Sequence, residues 1–132
     1  MTLEHVALWT SNLEEIKNYY QKFFGGISNE RYVNPKTGFN SYFLTFKGGA
    51  RLEIMQMDGI PQNSNDTKVK QHLGLIHLAF GVDRKEEVDM KALQLQIEGF
   101  EILRGPRTTG DGYYEFETLD PDGNRIEVTF KK

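Results

Sequence analysis

The chain has 132 residues, of which 38% are hydrophobic and 27% charged, with a formal net charge of −3 and no cysteine. Those numbers describe a soluble globular protein of one compact domain, or of two small halves sharing a core. They exclude disulfides, thiolate catalysis and cysteine-based zinc sites. The basic residues are scattered, so nothing suggests a nucleic-acid surface, and no apolar run approaches the roughly 20 residues of a membrane span.

Leu3–Trp9 reads as a strand. Asn12 is a helix N-cap candidate with Glu15 three residues on, in a capping-box-like pattern. Leu13, Ile16, Tyr19, Tyr20, Phe23 and Phe24 then form one helical stripe, which Gly25 and Gly26 end. Ser28–Val33 is a short strand and "NPKTG" a turn. Asn40–Phe46 and Arg51–Met57 are strands joined as a hairpin by "KGGA". From Asp58 to Gln71 the chain is polar and without a period, which predicts a linker or mobile loop.

The pattern then begins again. Leu75–Val82 is a strand, Asp83 an N-cap candidate with Glu86 three residues later, and Val88, Ala92, Leu95 and Ile97 a rougher helical stripe ending at Gly99. Phe100–Arg104 is a short strand and "GPRTTGDG" a loop. Tyr113–Leu119 and Asn124–Phe130 are strands around the turn "DPDG". "LEHVAL" aligns with "LIHLAF" and "GGARLEIMQ" with "DGNRIEVTF", so the chain is an internal repeat. The predicted fold is α+β: two tandem βαβββ modules, about 1–57 and 74–132, forming curved mixed sheets with helices on the outer face and joined by the linker 58–73.

Each repeat carries one histidine and one glutamate at corresponding places: His5 with Glu53, and His77 with Glu127. Strand alternation puts His5 with Leu3, Ala7 and Trp9, and His77 with Leu75, Ala79 and Gly81. It puts Glu53 with Arg51 and Met55, and Glu127 with Arg125 and Thr129. Leu52 and Ile54, like Ile126 and Val128, face the helix instead. If the mixed faces curve inward, all four residues can converge. Two imidazoles and two carboxylates suit a borderline divalent ion, leaving two of six positions for water or substrate. Taken singly, such a histidine is ordinarily a satisfied core residue and such a glutamate a partner of nearby arginines; the repetition is what favours ligands. His72 follows the polar linker, has no counterpart in the first repeat and is not a candidate. Tyr113 and Tyr114 align roughly with Tyr42 and Phe43, one of each pair being expected in the core.

"HVAL" with its N-cap and helix, "RLEIM", "GLIHLAFGVD" and "LDPDGNRIEV" resemble the vicinal-oxygen-chelate superfamily of glyoxalases, bleomycin resistance proteins and dioxygenases over nearly the whole chain. The ligand set is most similar to that of glyoxalase I (lactoylglutathione lyase). The resemblance implies His5, Glu53, His77 and Glu127 as ligands of a divalent metal, which could be nickel, cobalt, zinc or manganese. It implies a lyase that converts a 2-oxoaldehyde–thiol hemithioacetal to a thioester by proton transfer through an enediolate. Glu127 is the first choice for the base and Glu53 the second. The thiol would be glutathione or a relative. Trp9, however, stands where glyoxalase I often has a basic residue for the glutathione carboxylate, and Arg51, Arg107 and Arg125 are the alternatives. A methylmalonyl-CoA-epimerase-like enzyme and a metal-free ligand-binding resistance protein are the rival readings. The resemblance further implies a homodimer. "MTLEHVALWT" lacks the pattern of a secretory signal, so a cytoplasmic location is expected.

Overall fold

The computed structural model describes residues 1–132. The chain divides into two compact units, Met1–Asn63 and Ser64–Lys132.

The first unit contains β1 (His5–Trp9), α1 (Leu13–Phe24), β2 (Ile27–Ser28), β3 (Tyr32–Asn34), β4 (Phe39–Thr45) and β5 (Arg51–Gln56). Its sheet runs β1-β5-β4-β2, with β3 also on β4. β1 lies parallel to β5, and β4 antiparallel to it. α1 packs against β4 and β5. Leu13, Ile16, Tyr19, Tyr20 and Phe23 are buried with Tyr42, Leu44, Leu52 and Ile54. Each of the fully enclosed aliphatic side chains contributes about 1.5–3 kcal/mol by leaving water. Asn12 caps the helix as expected: its side chain accepts the Glu15 N–H at 3.2 Å and donates to the Glu15 carboxylate at 2.9 Å. Gln56 adds to the cap, accepting the Leu13 N–H and donating to the Ser11 carbonyl.

The single strand expected at Ser28–Val33 is two strands. The break lies at Asn29, whose side-chain oxygen accepts the Phe43 N–H at 2.8 Å and so replaces a ladder bond. Its own N–H still donates to the Phe43 carbonyl at 3.1 Å, so only the second bond of the pair is taken over by the side chain.

The second unit contains β6 (Leu78–Gly81), α2 (Lys85–Ile97), β7 (Ile102–Thr108), β8 (Tyr113–Leu119) and β9 (Arg125–Lys131). Its sheet runs β6-β9-β8-β7, with β6 parallel to β9. α2 packs against β7, β8 and β9, burying Val88, Ala92 and Leu95 with Phe116, Ile126 and Val128. Both sheets are mixed, and each has its helix on one face.

Four expectations need correction here. The strand expected from Leu75 begins at Leu78, because its partner β9 begins at Arg125, with Leu78 opposite Ile126, and pairing runs out before that point. His77 therefore sits just ahead of β6. The α2 N-cap is Arg84 rather than Asp83, and it is Glu87 that accepts the Arg84 and Asp83 N–H groups, at 2.9 and 3.1 Å. Ile97 is 76% exposed and leaves the core stripe. The loop expected after Arg104 is largely strand. Pro106 is tolerated because β7 is an edge strand with register shifts on both sides of Arg104. Gly105 (φ +82°) is required there: a Cβ would lie 2.4 Å from the Glu115 carbonyl oxygen.

The linker is tied down at its far end. Arg125 is 2% exposed. Its Nε and Nη2 donate to the Thr67 carbonyl at 2.9 and 2.7 Å, Nη2 to the Lys70 carbonyl at 2.9 Å, and Nη1 to Gln71 Oε1 at 2.8 Å. The turn before β9 is equally well satisfied. Asp120 accepts the Asp122 and Asn124 N–H groups and the Asn124 side-chain amide.

Candidate metal centre

In the first unit, β1 and β5 run parallel with His5 opposite Arg51 and Ala7 opposite Glu53. His5 Nε2 lies 3.8 Å from Glu53 Oε2. On the other side of the ring, Nδ1 is hydrogen-bonded to the Glu4 carboxylate. A carboxylate only accepts, so Nδ1 carries the hydrogen, which makes Nε2, on the Glu53 side, the nitrogen available to a metal. Glu4 also accepts Arg51 Nε at 2.7 Å. These two hydrogen bonds, His5's first, hold its carboxyl below the usual carboxylate range. Phe43, directly across the ladder from Glu53, meets the His5 ring edge-on at 5.4 Å, and the Arg51 guanidinium lies 4.2 Å over it.

In the second unit, His77 Nε2 lies 3.6 Å from Glu127 Oε2. The two pairs thus repeat the same geometry. Two ligand atoms about 2.1 Å from one ion at tetrahedral or octahedral angles lie about 3.0–3.4 Å apart. The observed separations need only small side-chain movements to meet that, so both donor sets fit a divalent metal.

The surroundings of the second pair differ. Glu117 stands directly across the β8–β9 ladder from Glu127, and Glu115 lies on the same face two residues earlier. Donor atoms of His77, Glu117 and Glu127 all lie within 4.8 Å of one another. Burial, and then the neighbouring Glu115, push the Glu127 carboxyl above its ordinary range; His77 pulls it down, and Glu117 pushes it further up. Arg104 Nε donates to Glu117 Oε2 at 2.5 Å.

All four expected residues therefore fall into two His–Glu pairs, one in each unit. His72 Nδ1 lies 3.3 Å from the neighbouring Leu73 carbonyl and joins neither pair. Of the three arginines considered for a substrate carboxylate, Arg125 is consumed by the 67–71 segment, and Arg51 is bound to Glu4 and stacked on Phe43. Arg107 is half-exposed, 4.0 Å from Glu115. Tyr42 is the core member of its pair, its hydroxyl donating to Glu14 at 2.7 Å. By ladder position, the counterpart of Phe43 is Glu117, not Tyr113 or Tyr114. Glu4, Glu115 and Glu117 were not anticipated. Glu115 and Glu117 had a usable signal. Counting back through the "DPDG" turn places Leu119 opposite Arg125, and hence Glu117 opposite Glu127.

The family model of the Glyoxalase/Bleomycin resistance protein/Dioxygenase superfamily matches residues 2–128. The chain belongs to this superfamily. It is 30% identical to a glyoxalase family protein from Enterococcus faecalis, with a TM-score of 0.74 over 96% of this chain and 94% of that one. It is 25% identical over 129 residues to the uncharacterized protein YqjT of Bacillus subtilis, covering 96% of each. The trypanothione-dependent glyoxalase I of Leishmania major is 18% identical, with a TM-score of 0.74 over 99% of this chain and 87% of that one, and shares the fold. Superfamily members act on or bind small molecules, and many are metal-dependent enzymes.

Proposed function

We propose that this chain is a metal-dependent lyase of glyoxalase-I type. A divalent ion (nickel, cobalt, zinc or manganese) takes His5, Glu53, His77 and Glu127 as ligands. The substrate is the adduct of a thiol and a 2-oxoaldehyde. The observation that carries this reading is the repeated His–Glu pair, with Nε2–Oε2 separations of 3.8 and 3.6 Å. Once bound, the metal supplies a Lewis acid that acidifies the C–H beside the substrate carbonyl.

Glu127 is the base. It takes the proton from C1 and returns it to C2, while the C1 hydroxyl gives up its proton and the C2 oxygen gains one; the hemithioacetal thus becomes the isomeric 2-hydroxy thioester with no net gain or loss of atoms. Without the ion, burial and the adjacent Glu115 raise its proton affinity, the direction required of a carboxylate that detaches from the metal to take the proton. Glu53, next to His5, is the alternative base. The Glu4 carboxylate holds the His5 ring in the orientation a ligand needs. A homodimer in the cytoplasm is part of the same reading.

The test is thioester formation from methylglyoxal and glutathione with each of the four metals. Glu127→Gln should abolish turnover. No rate with any metal would remove the lyase assignment.

A second reading keeps the metal and changes the substrate, as in a CoA-thioester epimerase. Arg125 and Arg51 are both engaged, so a glutathione carboxylate would fall to the half-exposed Arg107; this bears on the thiol and leaves the metal reading unchanged. Proton exchange at C2 of an acyl-CoA, followed by NMR in D2O, distinguishes the two.

A further inference from the structure

Glu117 is a carboxylate that the two His–Glu pairs do not require. The corresponding position beside Glu53 holds the hydrocarbon ring of Phe43. Glu117 is 7% exposed, and a carboxylate so enclosed is tolerated only when its charge is met. Arg104 meets it through one oxygen, Oε2. The pairing is not itself complete: Arg104 Nη2 is buried with no hydrogen-bond partner. The same holds for Thr129 Oγ1, two residues beyond Glu127 on the same face of β9. The cluster thus combines an imidazole, two carboxylates with donor atoms within 4.8 Å of each other and of that imidazole, and buried polar atoms unsatisfied at its border.

We propose that Glu117 is a third protein ligand for a divalent cation in the C-terminal unit, with Arg104 as its positioning residue. This rests on the metal reading above and extends its ligand set. Arg104 Nε fixes Glu117 Oε2 and so sets the orientation of the carboxylate beside His77 and Glu127. A third carboxylate oxygen beside those of Glu53 and Glu127 makes the donor set harder and favours manganese or cobalt over softer ions. The two units are then unequal: the C-terminal one carries three ligands, the N-terminal one two and an aromatic wall.

The test uses the full chain and cobalt(II), read by chelator competition and by the visible absorption of the bound ion, neither of which needs turnover. Glu117→Gln should weaken cobalt binding by about 10–100-fold and change the absorption bands. Glu117→Asp keeps the charge beside Arg104 but withdraws the oxygens by one methylene, and should alter the bands while circular dichroism stays native. Arg104→Lys should weaken binding less than Glu117→Gln does. If wild type binds cobalt, His77→Ala loses it, and both Glu117 variants match wild type in affinity and spectrum, Glu117 is not a ligand and the four-ligand reading stands. If wild type binds no divalent ion, both readings fall together.

Discussion

Replacing Arg125 with methionine keeps most of the aliphatic stem and removes the guanidinium that ties segment 67–71 to β9. Four hydrogen bonds disappear, to the Thr67 carbonyl twice, the Lys70 carbonyl and the Gln71 amide. Hydrogen bonds to a charged donor contribute about 1.5–3 kcal/mol each, but these four act as a unit, so they do not add. Methionine also avoids the cost of enclosing a charge, which offsets part of the loss. The net expectation is a loss of about 3 kcal/mol, or about 10 °C in Tm. Urea unfolding measures it. Trypsin gives an independent local readout, because Lys68 and Lys70 lie in the clamped segment. Cleavage after these lysines should accelerate well beyond the change in global unfolding. A variant within about 1 kcal/mol of wild type, with unchanged cleavage, would refute the clamp.

Gly105→Ala should cost about 3 kcal/mol, since it combines a left-handed backbone with a methyl group 2.4 Å from the Glu115 carbonyl oxygen; thermal unfolding checks it. The metal-free protein should show a pH signature from Glu127. Its native carboxyl holds a proton to higher pH than the unfolded one, so its contribution to stability is full below about pH 4 and is lost as pH rises through the raised value. Glu127→Gln should flatten that part of the profile and stabilise the metal-free protein at pH 7, as measured by urea titration in chelator.

How much was readable in advance depends on which signal each element carries. The α1 stripe, its Asn12 cap and the β8–β9 hairpin depend on periodicity and on local turn chemistry, and each formed where the pattern placed it. The repeat paired each histidine with its glutamate, because corresponding positions in similar ladders face the same way. Local pattern does not report where a partner strand ends, so the strand expected from Leu75 starts three residues ahead of β6. Nor does it report that a charged side chain such as Arg125 turns inward, since the carbonyls that satisfy it lie more than 50 residues back in sequence. Pro106 argued for a loop, and the edge position of β7 overrode it. Glu117 was legible only by carrying the ladder register through a turn. Glu4 was not legible at all, since its reach to both His5 and Arg51 depends on the backbone ahead of β1.

The most direct measurement is the metal content of the purified protein after equilibration with nickel, cobalt, zinc or manganese and removal of excess. Wild type should retain a stoichiometric amount of at least one of these ions, and the double variant His5→Ala, His77→Ala should retain none while remaining folded. A wild-type protein that takes up no divalent ion, or a double variant that binds as well as wild type, would contradict the assignment of the two His–Glu pairs as metal ligands.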